Sequence, residues 1–264
     1  MIGNVCEAAR AVELMDEYLR KSGKLREDQL WENNRFLNKR LKGDTFSLSD
    51  HIRAMVYSML NAERGWAGVD VKIEQIDKIF YDFDPERLMN ESPETLEDAV
   101  KDISCGNRLL GSHMRALKTN IEKLKSLESQ NGSIDTYYQT LMGESASLKV
   151  VVRALSDYQS KDKLTGLGVP LVSEYLRNVG YDVPKPDRHI KRILGSRRLA
   201  CSKKETVSEF EAFDIIARLA QETDRTSAEV DYILWAYCAN GYGEVCTAIP
   251  NCAECVAKDF CKFL

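Results

Sequence analysis

Proline and glycine are sparse in this chain, 6 and 15 of 264 residues, and no low-complexity tract, internal repeat or strand-rich region is visible. No uninterrupted apolar run approaches the roughly 18 residues that a membrane span needs, and the N-terminus has no signal-peptide core. A cytoplasmic location is therefore expected, nucleoid-associated in a bacterium. Apolar residues recur at helical spacing and 30% of the residues are charged, which predicts a soluble, mainly helical protein. The length suits one large domain or two small ones with a real core. The formal charge of −4 argues mildly against a nucleic-acid partner. Recognition, however, depends on the field at a contact surface and not on the sum of charges.

The most informative stretch is LTGLGVPLVSEYLRNVGYDVPKPD, residues 164–187. Gly166 and Gly168 flank Leu167 between an apolar segment read as helical, 150–164, and a second one, 170–178. Glycines let a hairpin take positive φ and let its amides approach a ligand closely. Amides exposed beside a helix N-terminus suit an anion such as phosphate; a plain helix-joining turn would use the same residues. About twenty residues later Asp187 stands at the N-cap of a short helix ending at Gly195, both favoured in those positions. From Arg188 to Lys204 come Arg188, Lys191, Arg192, Arg197, Arg198, Lys203 and Lys204 with no acidic residue. Such a run is a solvated face or, beside Asp187, a DNA contact.

Eight cysteines are present, and four of them, Cys246, Cys252, Cys255 and Cys261, crowd the last nineteen residues as metal ligands would. Cys6, Cys105, Cys201 and Cys238 are scattered and read as small buried or half-buried side chains. Thiolates at this spacing bind zinc or iron. The first loop between them, 247–251, contains no Lys or Arg.

The hairpin, Asp187 and the four cysteines together resemble the helix-hairpin-helix DNA glycosylases of the endonuclease III type, over roughly residues 47–264. The resemblance implies an all-α, two-lobed fold: a six-helix barrel lobe over 46–180, and a second helical lobe formed by the N-terminal helices (1–45) and by 181–264 with its cysteine loop. It implies a hairpin, Leu164, Gly166, Leu167 and Gly168, that grips DNA phosphate with Arg188 and Lys191 nearby, and a catalytic carboxylate at Asp187. It also implies a 4Fe–4S cluster on the four cysteines, with structural zinc as the alternative. The spacing here is C-x5-C-x2-C-x5-C, one residue short of the family's first loop. Glu63, with Trp66 close by, matches the family's position for the residue that plugs the gap left by an extruded base.

Family members that also nick the backbone place a lysine just after the hairpin to form a Schiff base. Here that position is Pro170, which has no nucleophile. The implied activity is thus a monofunctional base-excision glycosylase, an N-glycosyl hydrolase without β-lyase activity, acting as a monomer on double-stranded DNA with a damaged or mismatched base. Lys163 or Lys185 could defeat the monofunctional reading if either reached the sugar. Alkylated or mismatched bases are favoured over oxidised pyrimidines. A catalytically inactive DNA-binding protein of the same fold is the alternative.

Elsewhere, helices are predicted over 5–21, with Ala8, Val12, Met15 and Leu19 on one stripe, and over 27–41, 47–63, 206–222 and 226–239. Ser92-Pro93 marks another helix start, and Thr226 with Glu229 forms a capping box. His113, a lone histidine, reads as structural.

Overall fold

The computed structural model describes residues 2–25, 34–62, 69 and 71–263, and among these every regular element is helical. The chain forms two compact units, Arg40–Tyr181 and a second made from Met1–Lys39 with Asp182–Leu264. The helices are α1 Ile2–Lys21, α2 Arg35–Leu41, α3 Leu48–Leu60, α4 Ile73–Ile79, α5 Pro85–Asn90, α6 Pro93–Asp102, α7 Leu110–Asn131, α8 Ile134–Met142, α9 Leu148–Ser156, α10 Val169–Asn178, α11 Arg188–Ile193, α12 Glu209–Glu222 and α13 Ser227–Cys238.

In the Arg40–Tyr181 unit, α3 is the central element. From His51 onward only Arg53 is not buried, and Ile52, Met55, Val56, Met59 and Leu60 lie in the core together with His51 and Ser58. A helix buried on nearly every side must be surrounded; α10, α7 and the short 3-10 turn at Tyr81–Phe83 are the elements that cover most of it. Ser47 and Asp50 close a reciprocal capping box at its start, so the chain enters at a fixed angle. Several of the buried polar groups are paired with one another. His51 Nδ1 meets the Tyr175 hydroxyl at 2.6 Å, which also lies 2.8 Å from the Tyr138 hydroxyl. Asp135 accepts from Arg40 at 3.0 Å and from Tyr181 at 2.7 Å. Burial alone would raise the Asp135 carboxyl, but the nearby His51 ring and the bonds from Arg40 and Tyr181 outweigh it and hold the group well below the usual carboxylate range. Arg40 also donates to the Val179 carbonyl at 2.6 Å, which fixes it in this unit. The first crossing between units therefore falls between Lys39 and Arg40, before residue 45.

The other unit is built on α1, α12 and α13. Ala8, Val12, Met15 and Leu19 are buried along one face of α1, the stripe predicted from sequence. They pack with Ile215, Ile216 and Leu219 of α12 and with Ile233, Leu234 and Tyr237 of α13. Asp16 lies in this interior between Arg20 at 2.8 Å and Arg225 at 2.7 Å. Thr226 and Glu229 form the expected capping box, and Asp182 reinforces it by accepting from the Ser227 and Ala228 amides.

Two local expectations change. The helix expected over 150–164 ends at Ser156, because Asp157 and Ser160 turn back on the Gln159 and Asp162 amides and compete with helical bonding. Gly195 follows α11 without positive φ; a Cβ there would lie 1.9 Å from the Glu205 carbonyl oxygen, so close backbone packing is what demands glycine.

Candidate nucleic-acid interface and catalytic carboxylate

The hairpin is tied down from below and open above. Leu164 and Leu167 are fully buried, so their side chains anchor the turn and only their backbone could meet a ligand. The Thr165 main chain is held on both sides by Asn120, which accepts from its amide at 2.7 Å and donates to its carbonyl at 2.9 Å. The Leu164 amide donates to the Leu155 carbonyl at the end of α9, and Leu167 donates back to Leu164. Gly166 has φ +81°, and a Cβ there would come within 3.2 Å of the His113 ring. Both conformation and space therefore require glycine at 166.

Gly168 is different. Its backbone is extended, and a Cβ would meet nothing nearer than Pro170 Cδ at 3.9 Å. Nothing inside the fold calls for glycine here; what it preserves is open space in front of the chain. The Gly168 and Val169 amides have no acceptor among the described residues, and Pro170, inside the first turn of α10, has no N–H to satisfy. Unpaired amides at a helix N-terminus favour an anion. His113, which the sequence marked as structural, is buried against Gly166, and burial pushes its pKa down.

In the other unit, Asp187 caps α11. Its Oδ1 accepts from the His189 amide at 2.7 Å and the Ile190 amide at 3.1 Å. Oδ2 has no partner among the described residues, and the side chain is half-buried. The segment leading to it is stiff: Lys185 lies between Pro184 and Pro186, its amide bonded to the buried Asp231 at 2.9 Å. Burial lowers the neighbouring His189, against the pull of Asp187. A carboxylate oriented through one oxygen, with the other free, can stabilise positive charge or take a proton from water.

The basic run looks less available than its sequence. Lys191 pairs with Glu209 at 3.3 Å, Arg197 with Glu205 at 3.1 Å and Lys204 with Glu211 at 2.8 Å. Arg192 donates to the Cys246 carbonyl at 3.0 Å, and Arg198 is buried with its guanidinium 3.7 Å over the Phe263 ring. Arg188 and Lys203 are exposed and have no ion-pair partner among the described residues. Glu63 and Trp66 lie outside the described residues.

In the cysteine loop, Cys246 is buried and Cys252, Cys255 and Cys261 are half-buried. A hydrogen bond from Cys238, with Arg198 and Arg192 nearby, brings the Cys246 thiol down to about 7 against the effect of burial. Tyr237 donates to Cys255 Sγ at 3.4 Å and accepts from the Val256 amide. Arg198 Nε and Nη1 and Arg192 Nε are buried without acceptors, an environment that favours an anionic neighbour such as a thiolate-held metal or cluster. The donor chemistry thus fits, whereas among the described residues no three His, Cys, Asp or Glu side chains gather as a metal-holding group. The tip of the first loop presents Ile249, 90% exposed.

No family model matches the chain. A curated 8-oxoguanine DNA glycosylase/AP lyase of Aquifex aeolicus is 27% identical over 153 residues, which span 57% of this chain and 62% of that protein. The chain also superimposes on the crystal structure of a Methanocaldococcus jannaschii 8-oxoguanine glycosylase/lyase in complex with a DNA 15mer containing 8-oxoguanine, with a TM-score of 0.54 and 21% identity. That superposition covers 86% of this chain and 95% of the other. A second structure, 8-oxoguanine DNA glycosylase from the same organism, gives a TM-score of 0.53 over 87% of this chain and 92% of its own, again at 21% identity. The chain has the all-helical fold of the 8-oxoguanine DNA glycosylases, and its resemblance to the helix-hairpin-helix DNA glycosylases holds at the level of the fold.

Proposed function

We propose that the chain is a base-excision DNA glycosylase acting as a monomer on double-stranded DNA that carries a damaged base. The observation that carries the proposal is Asp187, held by α11 through one oxygen while the other has no partner among the described residues. Breaking an N-glycosidic bond builds positive charge on the sugar as the base departs, and a fixed carboxylate beneath it lowers the barrier. The same group can orient or deprotonate the attacking water. The base is inaccessible inside a duplex and must be flipped out, at a cost of a few kcal/mol that damage reduces. The open amides of Gly168 and Val169 would hold a phosphate of the distorted strand without reading sequence.

Two of the three relatives carry "lyase" as well as "glycosylase" in their names, and 8-oxoguanine is the first substrate to test. Lyase chemistry through a Schiff base needs an amine at the sugar. This chain has Pro170 at the family's lysine position, so we assign it hydrolysis by water, leaving an abasic site. Cys246, Cys252, Cys255 and Cys261 would hold a 4Fe–4S cluster that staples the C-terminal loop; iron content and broad visible absorbance distinguish it from zinc.

The test is base release from duplexes that each contain one lesion, 8-oxoguanine included, with and without mild alkali. Release seen only after alkali, and reduced by roughly 10²–10⁴-fold in Asp187→Asn, is the expected result. Strand nicking without alkali would overturn the monofunctional assignment. No release alongside tight binding to an abasic site would make the chain a DNA-binding protein of the same fold.

A further inference from the structure

Lys163 carries an amine in the candidate interface that neither the capping pattern nor the catalytic proposal uses. It lies in the turn between α9 and the hairpin. Its Nζ donates to the Ser156 carbonyl at 2.9 Å and to the Leu167 carbonyl at 3.0 Å. Ser156 is the last residue of α9, so this carbonyl has no partner within the helix and lies at the negative end of its dipole. Leu167 stands between the two glycines, and its carbonyl belongs to the peptide that carries the Gly168 amide. One ammonium therefore ties the end of α9 to the crest of the hairpin. Its neighbour Leu164 makes a parallel link through its own amide to the Leu155 carbonyl. Asp157 is the acidic group whose charge acts on the amine, and burial outweighs it, pushing Lys163 below the ordinary lysine range.

We propose that Lys163 is a positioning residue, an internal strut that holds the Gly166–Gly168 crest in its phosphate-binding shape and is not the nucleophile of a lyase step. This inference rests on the DNA-binding proposal above. Lys163 is the lysine closest in sequence to the hairpin, which makes it the natural candidate to replace the amine absent at Pro170. An amine that donates to two backbone carbonyls on the inner side of the turn is committed to the fold, and its replacement should act on the shape of the hairpin and leave phosphate neutralisation unchanged.

The test compares wild type with Lys163→Met, a side chain of similar reach without the charge. Amide hydrogen exchange is measured on the free protein, and affinity for a duplex with an abasic-site analogue is measured across a salt series. The Asn120 clamp and the buried Leu164 and Leu167 should keep the variant folded. Faster exchange at Leu164 and Leu167 is expected, with a loss of affinity of about tenfold at every salt concentration and an unchanged slope of log affinity against log salt, since a strut releases no counterions. A slope lowered by about one charge with unchanged exchange would make Lys163 a direct phosphate ligand and overturn the strut. Borohydride trapping provides the second arm: an adduct in wild type that disappears in Lys163→Met would make it the nucleophile. Should the wild-type protein fail to bind the duplex at any salt concentration, the DNA proposal fails, and exchange at Leu164 and Leu167 alone still decides whether Lys163 braces the hairpin.

Discussion

The hairpin and the basic run after Asp187 both carry groups suited to a nucleic-acid backbone, and the fold treats them in opposite ways. The run has seven cations over residues 188–204 and no acid within it. Glu205, Glu209 and Glu211, just beyond it, engage Arg197, Lys191 and Lys204, while Arg192 and Arg198 turn towards the cysteine loop and the C-terminus. The hairpin has no charge on its crest, yet it keeps amides that have no acceptor among the described residues. Exposed ion pairs contribute little to stability, about 0–1 kcal/mol each, but they take up the charge that a phosphate would otherwise meet. Donors that remain unpaired beside backbone groups that the fold does hold are therefore the better marker of a ligand site. A count of lysines and arginines along the chain marks it less well.

The sharpest way to break this comparison is at the two glycines. Gly168→Ala should fold as well as wild type, within about 0.5 kcal/mol, because its backbone is extended and the added Cβ meets nothing inside 3.9 Å. It should nonetheless bind abasic duplex about ten- to a hundredfold more weakly, since the methyl occupies the approach to the amides. Gly166→Ala should lose both, with stability reduced by about 1–2 kcal/mol from the left-handed backbone. Thermal melts beside binding curves separate the two cases. Gly168→Ala binding at wild-type strength would remove the hairpin amides as the phosphate site.

A smaller effect tests the other side. Arg188→Ala should lower the salt slope of DNA binding by about 0.9, the release of one counterion, since Arg188 is exposed and has no ion-pair partner among the described residues. Lys204→Ala should leave the slope nearly unchanged, because Glu211 already holds that charge. Equal slope changes in the two variants would show that the ion pairs open on binding and that the run acts as a whole.

Much of this organisation was legible in the sequence because it depends on local chemistry. The cap residues Ser47, Ser92 and Thr226 each begin a helix, and the α1 stripe is buried as its spacing predicts. Asp187 stands at its N-cap because a carboxylate there meets amides only two and three residues away. What was not legible depends on partners distant in sequence. Asn120 grips Thr165 from 45 residues away, and no local pattern marks an asparagine in mid-helix as a clamp. Gly195 was read as a helix terminator, whereas a carbonyl ten residues later requires it. The acids that neutralise the basic run belong to the next helix and the turn before it, so a window over the run alone counted free charge that the fold does not leave free.

The smallest effect concerns pH and links the two regions through their histidines. His113 backs the hairpin and His189 follows Asp187, and burial lowers both. An unfolded histidine takes up a proton near pH 6.5, so below that pH the unfolded chain binds more protons than the folded one and stability falls as pH falls. Above about 6.5 both states are neutral at these positions and the penalty vanishes. Between pH 7 and 5, the wild-type urea midpoint should therefore drop, and His113→Gln should flatten part of that drop. Because His113 lies against Gly166, protonation places a charge behind the crest, and the hairpin amides should lose protection relative to their unfolded exchange rates over the same pH interval. An effect on stability without one on hairpin exchange would separate His113 from the binding surface. It would also leave the Asn120 clamp and the Lys163 link as the contacts that hold the crest open.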